Sequence, residues 1–367
     1  MKPLKCPALL VPMVLATLLL GACHATPPRE APVDPDVARA EIRARIPPAV
    51  ANRDGWATDI FAAFEALEVR PTVRNICAVV AVVQQETGFQ VDAVVPGLPA
   101  MARKEIDQRA ARYHIPRAVV SVALNVRSPD GRSYAERLRQ AKTERALSEL
   151  FEDFIGEVPL GRQLFGDLNP VRTGGSMQVS VAFAEAHVRT AAYPYPLEDG
   201  VRREVFTRRG GLYFGIAHLL DYPVSYDSML YRFADFNAGH YASRNAAFQQ
   251  AVSVLSKTSL AIDGDLLREG TSEPSQTELA VRKLGLALGE RQIRRDLELG
   301  IGHEFEETAL YRKVFELADA RGPVPRALLP NIRLQSVKIT RELTTAWFAN
   351  RVDGRYRRCL QSPPRPD

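Results

Sequence analysis

A glutamate that closes a strongly apolar run has the type and setting for acid–base chemistry. The run Ala78-Val-Val-Ala-Val-Val-Gln-Gln-Glu-Thr-Gly-Phe-Gln90 stops at Glu86, and Thr87 and Gly88 follow at once. A carboxyl half buried by apolar neighbours keeps its proton to higher pH, because desolvation penalises the charged form. Glu86 therefore reads either as a proton donor at the edge of a core or as a solvated charge at a helix end. Two more stretches stand out, Thr173-Gly-Gly-Ser-Met-Gln-Val-Ser180 and Tyr231-Arg-Phe-Ala-Asp-Phe-Asn-Ala-Gly239. Taken singly, Met177 suits a core, Asn237 a helix brace and Gly239 a backbone requirement. Asp92, six residues after Glu86, is a second carboxylate or a loop aspartate. His303, Glu306 and Glu307 share one helical face that could touch a metal, but acidic residues in a first helical turn are the simpler account. No metal site and no cofactor is expected.

The elements that must position these residues read as mainly α. Val73 to Gln85 places Ile76, Val79, Val80 and Val83 at helical spacing, with Val82 widening the face. Its β-branched residues favour strand, but length and the lack of alternation predict a buried helix. Ile60, Phe61, Phe64 and Leu67 form another stripe, in a segment opened by an Asn52–Gly55 turn. After the Ser128–Gly131 turn, Ser133 and Glu136 have capping-box spacing, which predicts a polar helix from Tyr134 to about Phe154. Ser275 and Glu278 repeat that start signal. A helix is predicted over 304–320, with Leu310, Val314 and Leu317 on one face and a stop at Gly322-Pro323.

The N-terminus speaks of place. Lys2 and Lys5 precede the apolar stretch Ala8–Leu20, which is shorter than the roughly 20 residues a spanning helix needs. Residues 1–22 therefore read as a signal peptide. Leu20-Gly21-Ala22-Cys23 is similar to a bacterial lipobox, which makes Cys23 the lipidated first residue. His24 follows where an aspartate would favour the inner membrane, so the outer membrane is expected, facing the periplasm rather than the cell surface. Proline-rich residues 23–36 suit a tether, and the domain is expected over 37–360. Cleavage before Cys23 leaves 46 basic and 43 acidic residues, a net charge of +3. That mild bias suits an anionic envelope polymer, and with no glycine-rich phosphate loop or basic–aromatic interleave, nucleic acid is set aside. Of four cysteines, Cys77 and Cys359 remain in a compartment that permits disulfides. Paired, they would tie the C-terminal tail to the helix carrying Glu86; unpaired, Cys77 would be a small buried residue.

In order, Glu86-Thr87, Gly175-Ser-Met-Gln178 and Phe236-Asn-Ala-Gly239 resemble the soluble lytic transglycosylase domain, whose signatures are Glu-Ser, Gly-Leu-Met-Gln and Ala-Tyr-Asn-Ala-Gly. The apolar segment Arg208–Leu220 before the third motif adds to the likeness, which covers about residues 70–100 and 168–255. It implies a lysozyme-like helical domain. Thr87 keeps the hydroxyl of the family's serine, Ser176 replaces leucine, Asp235 replaces alanine, and Phe236 loses a tyrosine hydroxyl. The 91 residues between Glu86 and Gln178 exceed the family's short loop, so a helical insertion is expected at about 99–167, with a C-terminal helical extension. The whole chain also resembles the YaiW-like lipoproteins of Gram-negative bacteria.

The transglycosylase resemblance implies a reaction on peptidoglycan glycan strands. Most glycosidases pair an acid with a second carboxylate; that family uses one glutamate as acid and then base while the substrate's C6 hydroxyl attacks the anomeric carbon. Glu86 would take that role. Thr87, Ser176, Met177, Gln178, Phe236 and Asn237 would form the substrate groove, with Phe236 stacking where tyrosine normally does. A lost buried hydroxyl costs about 1–3 kcal/mol where its partner is left unsatisfied, which slows a chemical step roughly tenfold to a hundredfold. The contrasting expectation is a groove that binds glycan, or docks an envelope protein, without cutting.

Overall fold

Helices dominate the residues described by the computed structural model, which are 33–157, 169–334 and 342–362. The expected signal peptide, the expected lipidation residue Cys23, most of the expected tether and the end of the expected insertion lie outside the described residues.

The first three helices build one side of the main core. Helix α1 (Pro35–Arg45) begins inside the expected tether, because the Asp34 carboxylate accepts from the backbone N–H groups of Asp36 and Val37. Helix α2 (Arg53–Ala66) is capped by Asn52, whose side chain accepts from the N–H of Gly55. Asn52–Gly55 is thus the first turn of a helix and not a separate turn. Helix α3 (Val73–Glu86) buries every residue from Ile76 to Val83. Burial on all sides explains its near-continuous apolar composition and why β-branching did not make it a strand.

A second core lies within the segment that the sequence assigns to an insertion. Helices α4 (Leu98–Arg112), α5 (Arg117–Leu124), α6 (Tyr134–Gln140) and α7 (Glu144–Gly156) enclose it. Leu98, Val120, Leu124, Tyr134, Leu138 and Leu150 pack there with Phe206. The capping box of Ser133 and Glu136 forms as expected. The single helix expected over 134–154 does not: Lys142 gives its carbonyl to the N–H of Val95 at 2.9 Å, and the Thr143 side chain caps a new helix by accepting from Ala146. Pairing with the extended Val94 segment removes the intervening backbone from the helical ladder.

A short antiparallel hairpin follows, β1 (Thr173–Gly174) with β2 (Val179–Ser180). Helices α8 (Val181–His187), α9 (Val201–Val205), α10 (Arg208–Leu220) and α11 (Met229–Ala238) return the chain to the main core.

A third core joins α12 (Ala242–Ser256), α13 (Gln276–Arg282), α14 (Glu290–Glu298) and α15 (Ala309–Asp319). Ser275 caps α13, but the Glu278 side chain turns to Arg282 and Arg294 rather than completing a capping box. The helix expected over 304–320 is a 3-10 turn, His303–Glu307, followed by α15, because Thr308 caps afresh at Tyr311. Tyr311, Phe315 and Ala318 share the buried face with Leu310 and Val314, which rotates Leu317 out to 44% exposure.

Helix α16 (Thr345–Gln361) ends the C-terminal helical region. It packs along α3 and α11, with Phe348, Ala349, Val352 and Tyr356 inside the main core. Burying a Val or Phe side chain contributes roughly 1.5–3 kcal/mol, so α16 is integral to the domain. Cys77 on α3 and Cys359 on α16 are joined by a disulfide, with Cα atoms 5.5 Å apart.

Candidate functional site

Glu86, Gln178, Phe236 and Asn237 line one open cleft of about 620 Å3. Glu86 is the last residue of α3 and half-buried, Gln178 precedes β2, and Phe236 and Asn237 lie in the last turn of α11. Thr173, Ser180, Phe183, His218 and Phe348 complete much of its wall.

Packing against α10 fixes the second motif. Gly175 to Gln178 form the hairpin turn, closed by the N–H of Gln178 donating to the Gly175 carbonyl at 3.1 Å. Gln178 takes a left-handed φ of 52°, and the following strand, Val179–Ser180, lines the cleft. Its side chain is held by the Thr173 hydroxyl, which donates to Oε1 at 3.2 Å. The turn can sit this low because Gly215 of α10 lacks a side chain: a Cβ there would lie 2.5 Å from Met177.

That contact corrects the expected roles of Met177 and Ser176. Both are fully buried, and neither lines the cleft. Met177 fills the core beneath the turn, as a flexible thioether does well, and Ser176 lies against the glycine face of α10. Thr87 is also behind the wall. Its hydroxyl donates to the Ser176 carbonyl at 2.9 Å, tying the end of α3 to the hairpin turn. Thr87 and Ser176 therefore set the spacing between Glu86 and Gln178 rather than line the cleft.

Asn237 faces the cleft and also accepts, through Oδ1, a 2.8 Å hydrogen bond from the Thr345 hydroxyl. It braces a helix start, but that of α16. Asp235 points the other way and is fully buried. It accepts from the hydroxyls of Tyr222 and Tyr226 and from the Ser243 N–H at 2.7 Å. Burial pushes its carboxyl up despite those donors. It anchors the passage from α11 to α12. Gly239, at the cleft rim, has a φ of 108° that a side chain would strain. Asp92 is no second carboxylate of this cleft: it pairs with Arg145 at 3.3 Å.

Sequence reading missed a histidine–aromatic stack behind the cleft. His218 meets the Phe236 carbonyl through Nε2 at 3.3 Å, and its ring lies 4.4 Å from His240 and 4.6 Å from Phe183. Tyr222 stacks on His240 at 3.9 Å. Burial, then the neighbouring His240, pushes the His218 pKa down to about 3. His218 is therefore neutral at ordinary pH, and the Nε2–H tautomer donates to Phe236. The available signal was a lone histidine in an otherwise apolar helix. Among the described residues, no cluster of His, Cys, Asp and Glu is arranged to hold a metal ion.

Residues 49–362 match a family model described as "Protein of unknown function (DUF1615)". The chain belongs to the DUF1615 family. Along nearly its full length it is also similar to a relative from Escherichia coli (strain K12) named "Uncharacterized protein YaiW". The two are 53% identical over 355 residues, spanning 95% of this chain and 97% of the relative. The resemblance to YaiW-like proteins thus extends through all the residues of the cleft. No solved structure matches this DUF1615 chain.

Proposed function

We propose that this DUF1615 protein is an outer-membrane lipoprotein, anchored through Cys23 and facing the periplasm, that cleaves peptidoglycan glycan strands as lytic transglycosylases do. The observation that carries the proposal is the shared cleft: Glu86, Gln178 and Asn237 come from distant parts of the chain and line the same cavity. Glu86 stands at the C-terminal end of α3, where the helix dipole gives a carboxylate no support. It would protonate the leaving oxygen and then withdraw a proton from the C6 hydroxyl as that oxygen attacks the anomeric carbon. The glycosidic bond breaks, the 1,6-anhydro bond forms, and the acid is regenerated. Gln178 and Asn237 would hold sugar polar groups, and Phe236 would stack on a ring face. In this reading the domain is lysozyme-like, with α4–α7 as its insertion.

One observation favours a second reading, a cleft that binds glycan, or docks an envelope protein, without cutting. Phe236 supplies no hydroxyl where the transglycosylase motif has one. Both readings meet one experiment, mass spectrometry of peptidoglycan incubated with the mature protein or with Glu86→Gln. Anhydro-muropeptides from the wild type alone support catalysis by Glu86. Glycan pulled down without products from either protein supports the binding reading. Neither products nor binding removes peptidoglycan as the ligand.

A further inference from the structure

The cleft does not end at Gln178. That residue also lines a notch of about 10 Å3, shared with Thr87, Gly175, Phe206 and Arg145. Arg145 in turn lines a third depression, a basin of about 460 Å3. The three concavities thus form a chain, Gln178 joining the first to the second and Arg145 the second to the third. A notch this small has room for about one water, so a ligand spanning cleft and basin would pass over it as an extended strand.

The basin differs from the cleft in chemistry. It is built from charges of both signs: Arg145 and Glu149 on α7, Glu198 and Asp199 in the loop before α9, and Arg203 on α9. Glu204 and Arg209 close its floor and are already committed to each other at 2.7 Å. The rim is held less tightly. Arg145 is 46% exposed and stands 3.3 Å from Asp92 and 3.9 Å from Glu149, and Arg203 is 43% exposed and stands 3.8 Å from Asp153. Among the described residues, the Glu198 and Asp199 carboxylates have no ion-pair or hydrogen-bond partner. Two loosely held guanidiniums beside such carboxylates match a ligand that carries both an ammonium and a carboxylate.

We propose that this basin is a second subsite, for a zwitterionic peptide, and that the preferred ligand is a glycan bearing a charged peptide branch rather than a bare sugar strand. Arg145 and Arg203 take the peptide carboxylates, and Glu198 and Asp199 take its amine. The proposal rests on the glycan reading of the cleft and names the substrate class within it. Arg145 and Glu149 belong to α7, so the inserted helices supply one of the subsite's two ligand-binding guanidiniums.

The test is calorimetric binding to three probes: the disaccharide N-acetylglucosaminyl-N-acetylmuramic acid, the same disaccharide carrying the tetrapeptide L-Ala-D-Glu-diaminopimelate-D-Ala, and that muropeptide with its free amine acetylated. Wild-type protein is expected to bind the peptide-bearing probe about tenfold more tightly than the disaccharide, an increment consistent with a few partly exposed ion pairs. Acetylation should remove part of that gain. Arg145→Glu and the Glu198→Gln/Asp199→Asn double variant, all at exposed or half-exposed positions, should bring the muropeptide to the affinity of the disaccharide. Circular dichroism of each variant checks that it is folded. Equal affinity for all three probes, or a gain untouched in both variants, overturns the subsite and leaves the glycan reading standing. Peptide-dependent binding of the muropeptide with no detectable affinity for the disaccharide supports the basin and overturns the cleft as a sugar site. No binding of any probe overturns both.

Discussion

Thr345 donates its hydroxyl hydrogen to Asn237 at 2.8 Å, joining the first turn of α16 to the last turn of α11 at the edge of the cleft. Thr345 is fully buried. A residue that faces a candidate ligand is thus oriented by a helix that begins 108 residues later. The C-terminal helix is part of the site's construction.

Thr345→Val keeps the shape of the side chain and removes the donor. Asn237 is exposed, so water can take the place of the lost donor, and the variant is expected to lose about 0.5–1.5 kcal/mol of stability. Urea unfolding checks the loss, and glycan affinity should fall with it because the Asn237 side chain loses its holder. An unchanged unfolding midpoint would show that the contact contributes nothing.

The Cys77–Cys359 disulfide closes a loop of 282 residues in sequence separation. Cross-links of this kind contribute about 2–5 kcal/mol, chiefly by restricting the unfolded chain. The double variant Cys77→Ala/Cys359→Ala should melt well below the oxidised wild type. Wild type in excess reductant should fall to nearly the same temperature. If reductant leaves the wild-type melt unmoved, the bond is absent in solution.

Gly215→Ala tests the seating of the hairpin turn. The added methyl would meet Met177 at 2.5 Å, so either α10 or the turn must move. Overpacking of this kind costs about 1–3 kcal/mol. Because Gln178 follows Met177 directly, glycan binding should weaken more than the drop in melting temperature alone implies. Gly215→Ala/Met177→Ala should recover part of the binding, which a role for Gly215 confined to helix flexibility would not allow.

His218 should make stability depend on pH. Its pKa is about 3 in the folded chain against an ordinary 6.5. Between those values the unfolded chain takes up a proton that the folded chain refuses. Stability from this group is therefore present above the unfolded value and is lost as pH falls through the window. The loss is about 3 kcal/mol between pH 7 and pH 4, as an order of magnitude. His218→Gln retains a donor for the Phe236 carbonyl and does not titrate. The gap between the two proteins' urea midpoints should change between those pH values in the wild type's disfavour at low pH. His240, whose pKa burial also lowers, remains in both proteins and largely cancels. Parallel pH profiles would remove His218 as the source.

The sequence by itself determined the elements whose causes are local. Ile76, Val79, Val80 and Val83 at helical spacing were enough for α3, since periodicity and length are properties of the segment. Ser133 with Glu136 marked the start of α6 because a cap is made by residues three apart. The order of the three short motifs was enough to nominate Glu86, Gln178, Phe236 and Asn237, which the fold then brings to one cleft. Long-range contacts decided the rest. The break before α7 depends on Val95, far back in the chain, and the local cap at Thr143 does not by itself interrupt a helix. Met177 went to the core because a glycine on α10 leaves room for it, and Ser176 went with it. The single carboxylate in the first two motifs kept its place at the cleft, whereas Asp235, one residue from Phe236, turned inward to Tyr222, Tyr226 and Ser243. Adjacent positions on a helix point about 100° apart, and only the packing of neighbouring helices decides which direction is the cleft and which is the core.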